Sequence, residues 1–219
     1  MLLRVDHGLS MRFPGLKAQI VRIRGVEVRR GHPEFEHFKE EVIERVRERW
    51  TLDQLREHPL FRAYRDFFWR VGVDPTKTRP AAEALIRRVL RGRPLPRINT
   101  VVDAYNLASI ETAVALAAFD DDGLVGELLM REAEAGEEFL GIGMERPVVL
   151  QGGEVVVADG EKLIAIYPYR DAEACKITER TGNVLMLICG VPNIYDETLE
   201  RAGRVAVEYV TRFCGGSEA

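Results

Sequence analysis

Between Gly126 and Val191 the chain repeats one pattern: GELLMREA, RPVVLQ, EVVVAD, KLIAIYPY and NVLMLICGV are short apolar or alternating runs set apart by Gly- or Asp-bearing turns. Runs of this length suit strands and are short for helices, so this half of the chain is expected to form sheet. The preceding part has another period. Phe35, Phe38, Val42, Val46 and Trp50 recur at three- and four-residue steps and predict a helix over Glu34 to Trp50, with Pro33 near its first turn. Leu60, Tyr64, Phe67, Phe68 and Val71 predict a second helix, ending at Gly72. A third is expected in PAAEALIRRVLRG, with Thr78 as a candidate N-cap and Gly92 as the stop.

Leu16 to Arg30 alternates as a strand or hairpin does, INTVVD reads as a buried strand, Asn106 to Phe119 as a helix, and Leu199 to Phe213 as a closing helix. Helices, then strand and helix, then mostly strands, then one helix is the order of an α+β fold. We expect a mixed, mostly antiparallel β core with flanking helices. Residues 1–58 form an N-terminal strand and helix region packed on a core of residues 59–219.

Several functional classes are disfavoured. No Gly-rich dinucleotide or phosphate-loop signature occurs, so no nucleotide cofactor is expected. Cys175, Cys189 and Cys214 are too scattered for a disulfide framework or a zinc knuckle, and no metal site is expected. Met1 to Ser10 carries Arg4, Asp6 and His7 where a signal peptide needs an apolar block, and no apolar run is long enough to span a bilayer; a cytoplasmic protein without a membrane partner is expected. All four histidines (His7, His32, His37, His58) precede residue 59, so a histidine triad in the β-rich half requires the N-terminal region to fold back.

Net charge is −4, which argues against indiscriminate nucleic-acid coating. Its distribution still permits a local phosphate footprint. Arg79, Arg87, Arg88, Arg91, Arg93 and Arg97 face the single acid Glu83 over nineteen residues, whereas Asp120 to Glu145 is strongly acidic. A solvated helix face explains the same arginines.

Two polar clusters stand out. Asn99, Asp103 and Asn106 flank the point where the pattern turns helical, where they serve either as helix caps or as groups that receive a carboxylate or oxyanion. In YPYRDAEACKITERTGNV, Arg170 and Asp171 are strand neighbours that share a pocket only if the chain turns; Thr178, Thr181, Gly182 and Asn183 suit such a turn. Cys175 is a weaker candidate nucleophile, having no visible base.

RINTVVDAYNL, followed by AFD, REAEAGEEF and EVVVADG, resembles the editing domain in the beta subunit of phenylalanyl-tRNA synthetase, over roughly Arg97 to Val191. The stretches FRAYRDFF, DPTKTRPAAEALIRRVLRG, PYRD and TGNVL are more similar to freestanding proteins built around that domain. The resemblance implies hydrolysis, in trans, of the ester on a mischarged tRNA by a positioned water. It implies tRNA as partner, not DNA. Under it Asn99 and Asn106 meet ester and ribose atoms, Asp103 fixes the turn, Arg170 supports the oxyanion or terminal phosphate, and Asp171 binds the ammonium or orients water. Lys77, Arg79, Arg87, Arg88, Arg91 and Arg93 would contact tRNA phosphates, and Thr178 and Asn183 would be pocket walls. The chain departs from the family in two places. Ala117 replaces the synthetase's histidine, and YPYRD replaces a Gly-rich stretch. The amino-acid-reading glutamate falls near Glu173 without a fixed register; Glu173 is kept as a candidate substrate contact. The alternatives are a non-catalytic module that binds tRNA or an amino acid, and a scaffold using Phe61 to Trp69.

Overall fold

The computed structural model describes residues 1–219. Its helices are α1 (His7–Arg12), α2 (Pro33–Arg49), α3 (Leu52–Glu57), α4 (Pro59–Arg70), α5 (Ala81–Leu90), α6 (Thr100–Thr112) and α7 (Asp196–Cys214). The strands are β1 (Arg4–Val5), β2 (Lys17–Arg24), β3 (Ala115–Asp120), β4 (Leu129–Glu132), β5 (Glu138–Phe139), β6 (Val148–Val149), β7 (Val155–Ala158), β8 (Leu163–Ile166), β9 (Arg170–Asp171), β10 (Asn183–Gly190) and β11 (Ser217–Glu218). One sheet runs β11-β2-β10-β3 and a second runs β1-β4-β7-β8-β9, with β5 and β6 forming a separate ribbon. Every pairing is antiparallel except β1 with β4. This is the expected α+β class.

The four-stranded sheet is covered differently on its two faces. Gly203 of α7 lies against Ile188 and Val21, which puts the helical layer on that face. The other face carries Cys189 and meets the second sheet, whose Tyr167 hydroxyl donates to the Gly190 carbonyl at 2.6 Å. Phe35 and Phe38 of α2 stack edge-on against Phe213 and Tyr209 of α7, closing the helical side. Residues 1–58 contribute to both layers, since β2 lies between β11 and β10 and is matched with β10 over eight positions.

α4 shows how burial makes a joint. Phe61, Tyr64, Phe67 and Phe68 are all buried, each contributing about 1.5–3 kcal/mol of apolar transfer. The Tyr64 hydroxyl donates to the Cys189 carbonyl at 2.5 Å and accepts from the Ala115 amide at 3.1 Å, so one side chain pins the ends of β10 and β3.

The largest correction falls on the segment around Asn99, Asp103 and Asn106. INTVVD is not a strand: Asn99 is the N-cap of α6, and Val101, Val102 and Asp103 lie in its first turns. The β-branched run favours a strand by propensity. Here it is overruled by a cap that satisfies exposed N–H groups and by burial of Val101 and Val102. The expected helix over Asn106 to Phe119 stops at Thr112, where Ala113 turns left-handed (φ 61°). ALAAFD continues as β3, because six of its positions pair with β10. Thr78 does not cap α5; Pro80 holds that position. The sequence reading also passed over α3, although Thr51 and Gln54 form a capping box, a pattern visible in TLDQ.

Candidate active site

α6 is fixed by reciprocal bonds at its start. The Asn99 side chain accepts from the Val102 amide at 2.9 Å, and the Asp103 carboxylate accepts from the Ile98 amide at 2.9 Å. Asn99 also reaches the Ile177 carbonyl at 3.5 Å, tying the helix start to the loop after β9. Both side chains are almost wholly buried, 6% and 5% exposed. Burial pushes the Asp103 carboxyl up, against the opposing pull of the Ile98 hydrogen bond, Lys39 and Arg97. Its charged neighbours therefore lie towards α2 and Arg97. These two candidates act as caps, and at 6% exposure Asn99 presents little of its side chain to a ligand.

Tyr105 and Asn106 follow on the same helix. Both are half-buried, and neither side chain makes a hydrogen bond within the protein. Burial raises the Tyr105 phenol above its ordinary range, with Asp171 the next cause and Asp103 after it. Tyr105 thus feels the charge of both polar clusters without a hydrogen bond to either.

Asp171 and Arg170 are neighbours on β9, paired with Ala165 and Ile166. No turn intervenes, so their side chains take opposite faces. They form no ion pair, which corrects the expectation of a shared pocket. Arg170 is exposed and lies across Gly141, where a Cβ would stand 2.7 Å from its Cδ. Asp171 is half-buried, and its carboxylate oxygens keep some contact with solvent although protein surrounds the side chain. Burial pushes its pKa up to about 7, only partly offset by Arg170. The carboxylate has no hydrogen-bonding partner in the protein. Buried Cys175 and Cys189 both sense its charge. Desolvation pushes the Cys175 thiol up to about 12, so the thiolate needed of a nucleophile is scarce at neutral pH.

Register places one more residue here. Cys189 pairs with Ala115 and Leu187 with Ala117, and steps of two share a face. Ala117 therefore looks into the same space between the sheets as Cys189. At the end of β3, Asp120 Oδ2 accepts from the Thr181 hydroxyl at 2.8 Å, while its buried Oδ1 has no partner. Sequence reading missed Tyr105 and Asp120; AFD was quoted as a motif, but nothing in it marked the acid as enclosed.

Residues 63–215 match the sequence pattern described as the B3/4 domain. The chain belongs to the B3/4 domain family. It is similar to the phenylalanine–tRNA ligase beta subunit of Geobacter metallireducens, 37% identical over 109 residues that make up 49% of this chain and 13% of that subunit. Against the corresponding subunit of Fusobacterium nucleatum it is 36% identical over 98 residues, 44% of this chain and 12% of the subunit. Only a small part of each subunit is thus matched. An N-terminal fragment of the phenylalanyl-tRNA synthetase beta-subunit from Pyrococcus horikoshii shares the fold, with a TM-score of 0.52 at 15% identity, covering 99% of this chain and 49% of that one.

Other candidate residues of this B3/4 domain are dispersed. Thr178 and Asn183 hold the turn: the Thr178 amide donates to the Thr181 hydroxyl, and Asn183 donates to Asp122 at 2.8 Å. Glu173 pairs with Lys176 and lines a separate hollow of about 420 Å³ with Glu137, Glu138, Glu161 and Lys162. Arg79 and Arg87 turn towards the buried Glu83, and Arg88 donates to the Pro94 carbonyl. Lys77, Arg91 and Arg93 are exposed at opposite ends of α5, so the six cations do not form one patch.

Proposed function

We propose that this B3/4 domain is an aminoacyl-tRNA deacylase acting in trans in the cytoplasm. The supporting observation is Asp171, a half-buried carboxyl with a pKa near 7 and no protein partner, whose charge reaches Tyr105 and Cys189, with Ala117 on the sheet face that Cys189 shares. A base whose pKa lies near the working pH is the one that moves a proton efficiently.

Asp171 takes a proton from water, and the water oxygen attacks the ester carbonyl carbon. The bond to the ribose oxygen then breaks, and that oxygen receives the proton back from Asp171 directly or through the vicinal ribose hydroxyl. The products are free amino acid and uncharged tRNA. Tyr105 and Asn106 supply hydrogen bonds to the oxyanion and ribose. Asn99 and Asp103 act at one remove, holding α6 so that these two groups are presented. Arg170, on the outer face, and the exposed Lys77, Arg91 and Arg93 contact phosphates of the acceptor arm.

The test is a panel of tRNAs charged with cognate and noncognate amino acids, incubated with wild type, Asp171→Asn and Tyr105→Phe. We expect release of at least one noncognate amino acid and a loss of about 100-fold or more in Asp171→Asn, the usual worth of a general base. Binding without cleavage across the panel rejects the hydrolase in favour of a tRNA- or amino-acid-binding module, a reading favoured by the commitment of Asn99 and Asp103 to capping.

A further inference from the structure

Arg65, Arg79 and Arg87 all approach Glu83, which is 1% exposed. Arg65 donates to Glu83 at 2.9 Å and Arg87 at 2.7 Å; Arg79 Nε stands 3.6 Å away and is buried without a hydrogen-bonding partner. One carboxylate cannot neutralise three guanidinium groups. These residues line an open hollow of about 420 Å³ between α3 and α5, and Arg56 and Asp53 of α3 line it too. Four guanidinium charges against two carboxylates leave a surplus of two positive charges.

The donors are not all spent. Arg65 is committed, since it also donates to the Leu55 and Arg56 carbonyls. Arg87 uses only Nε, leaving its two terminal nitrogens free. The Arg56 side chain is exposed and has no partner. Free guanidinium nitrogens converging on one hollow are the chemistry that holds phosphate oxygens.

We infer that this hollow is a binding site for a phosphate monoester, whose charge of about −2 matches the surplus. A backbone diester carries one charge and leaves half the surplus unmet. Leu52 is the only hydrophobic group in the lining apart from the Pro75 ring, and no aromatic side chain is there to stack a base. The site therefore grips the phosphate and leaves the attached group in solvent. It does not depend on ester hydrolysis at Asp171.

Calorimetric titration of the full chain at constant ionic strength tests this, using inorganic phosphate and one short oligoribonucleotide prepared with a 5′ phosphate or a 5′ hydroxyl. Saturable phosphate binding is expected, weakened about tenfold in Arg56→Ala, the worth of one charge-assisted hydrogen bond. Arg56 holds nothing else through its side chain, so folding is preserved. Arg88→Ala, outside the hollow, should bind as wild type does. An oligonucleotide bound only when phosphorylated puts the ligand at an RNA end, and uptake of inorganic phosphate alone puts it on a small molecule; both support the site. No saturable binding, an unaltered Arg56→Ala, or equal affinity for the two oligonucleotides overturns it.

Discussion

Replacing Asp171 with Asn keeps the shape of the side chain and removes its charge. The folded carboxyl titrates near 7, against an ordinary value of 3.8. Below about pH 4 both folded and unfolded chains hold the proton, and the substitution is nearly neutral. Between about pH 4 and 7 the unfolded chain has released its proton while the folded chain keeps it, so wild-type stability falls as pH rises. About three pH units at 1.36 kcal/mol each set a ceiling of roughly 4 kcal/mol. Partial solvent contact screens the charge and reduces this to about 2–3 kcal/mol. Urea denaturation of both proteins across this range, at fixed salt, should show Asp171→Asn gaining that margin progressively and holding it above pH 7. The same variant loses hydrolysis. A stability difference independent of pH, or a variant less stable than wild type at about pH 8, would refute the raised carboxyl and the base built on it.

Asn99→Ala should lower stability by about 0.5–2 kcal/mol, read as a lower thermal midpoint, because it removes the α6 cap; an unchanged midpoint contradicts that role. Tyr64→Phe leaves the Ala115 amide without its acceptor and should cost about 1–3 kcal/mol by denaturation. Glu83→Gln strands three arginines and should cost about 3–5 kcal/mol, part of which added phosphate restores; a neutral result means that the Glu83 ion pairs are not holding the fold. Native Cys175 should resist thiol reagents at neutral pH and react only on unfolding.

The β-rich half was legible because strands such as VVVA and LIAI are buried along their whole length and read as continuous apolar runs. The segment from Asn99 to Asp120 was misread by one element. Its Val pair belongs to a helix fixed by two side-chain caps, and its alanines to a strand fixed by β10, a partner more than sixty residues away. Local propensity does not contain that information. PYRD marks Asp171 as a candidate, but its raised pKa follows from packing between two sheets, and only that packing brings Tyr105 within reach of its charge. Conversely, the arginine run looked like one surface in the sequence, and the fold split it by burying Glu83 in its middle.

β2 occupies an interior place in its sheet, yet the strand it pairs with residue for residue is near the other end of the chain. During translation, Lys17–Arg24 is made long before Asn183–Gly190, and until that strand has left the ribosome its only pairing is the short contact with Met1–Leu3. Such distant closure slows folding. Meanwhile the edge that β10 will cover is open to neighbouring nascent chains, and only the charges of Lys17, Arg22 and Arg24 oppose such pairing.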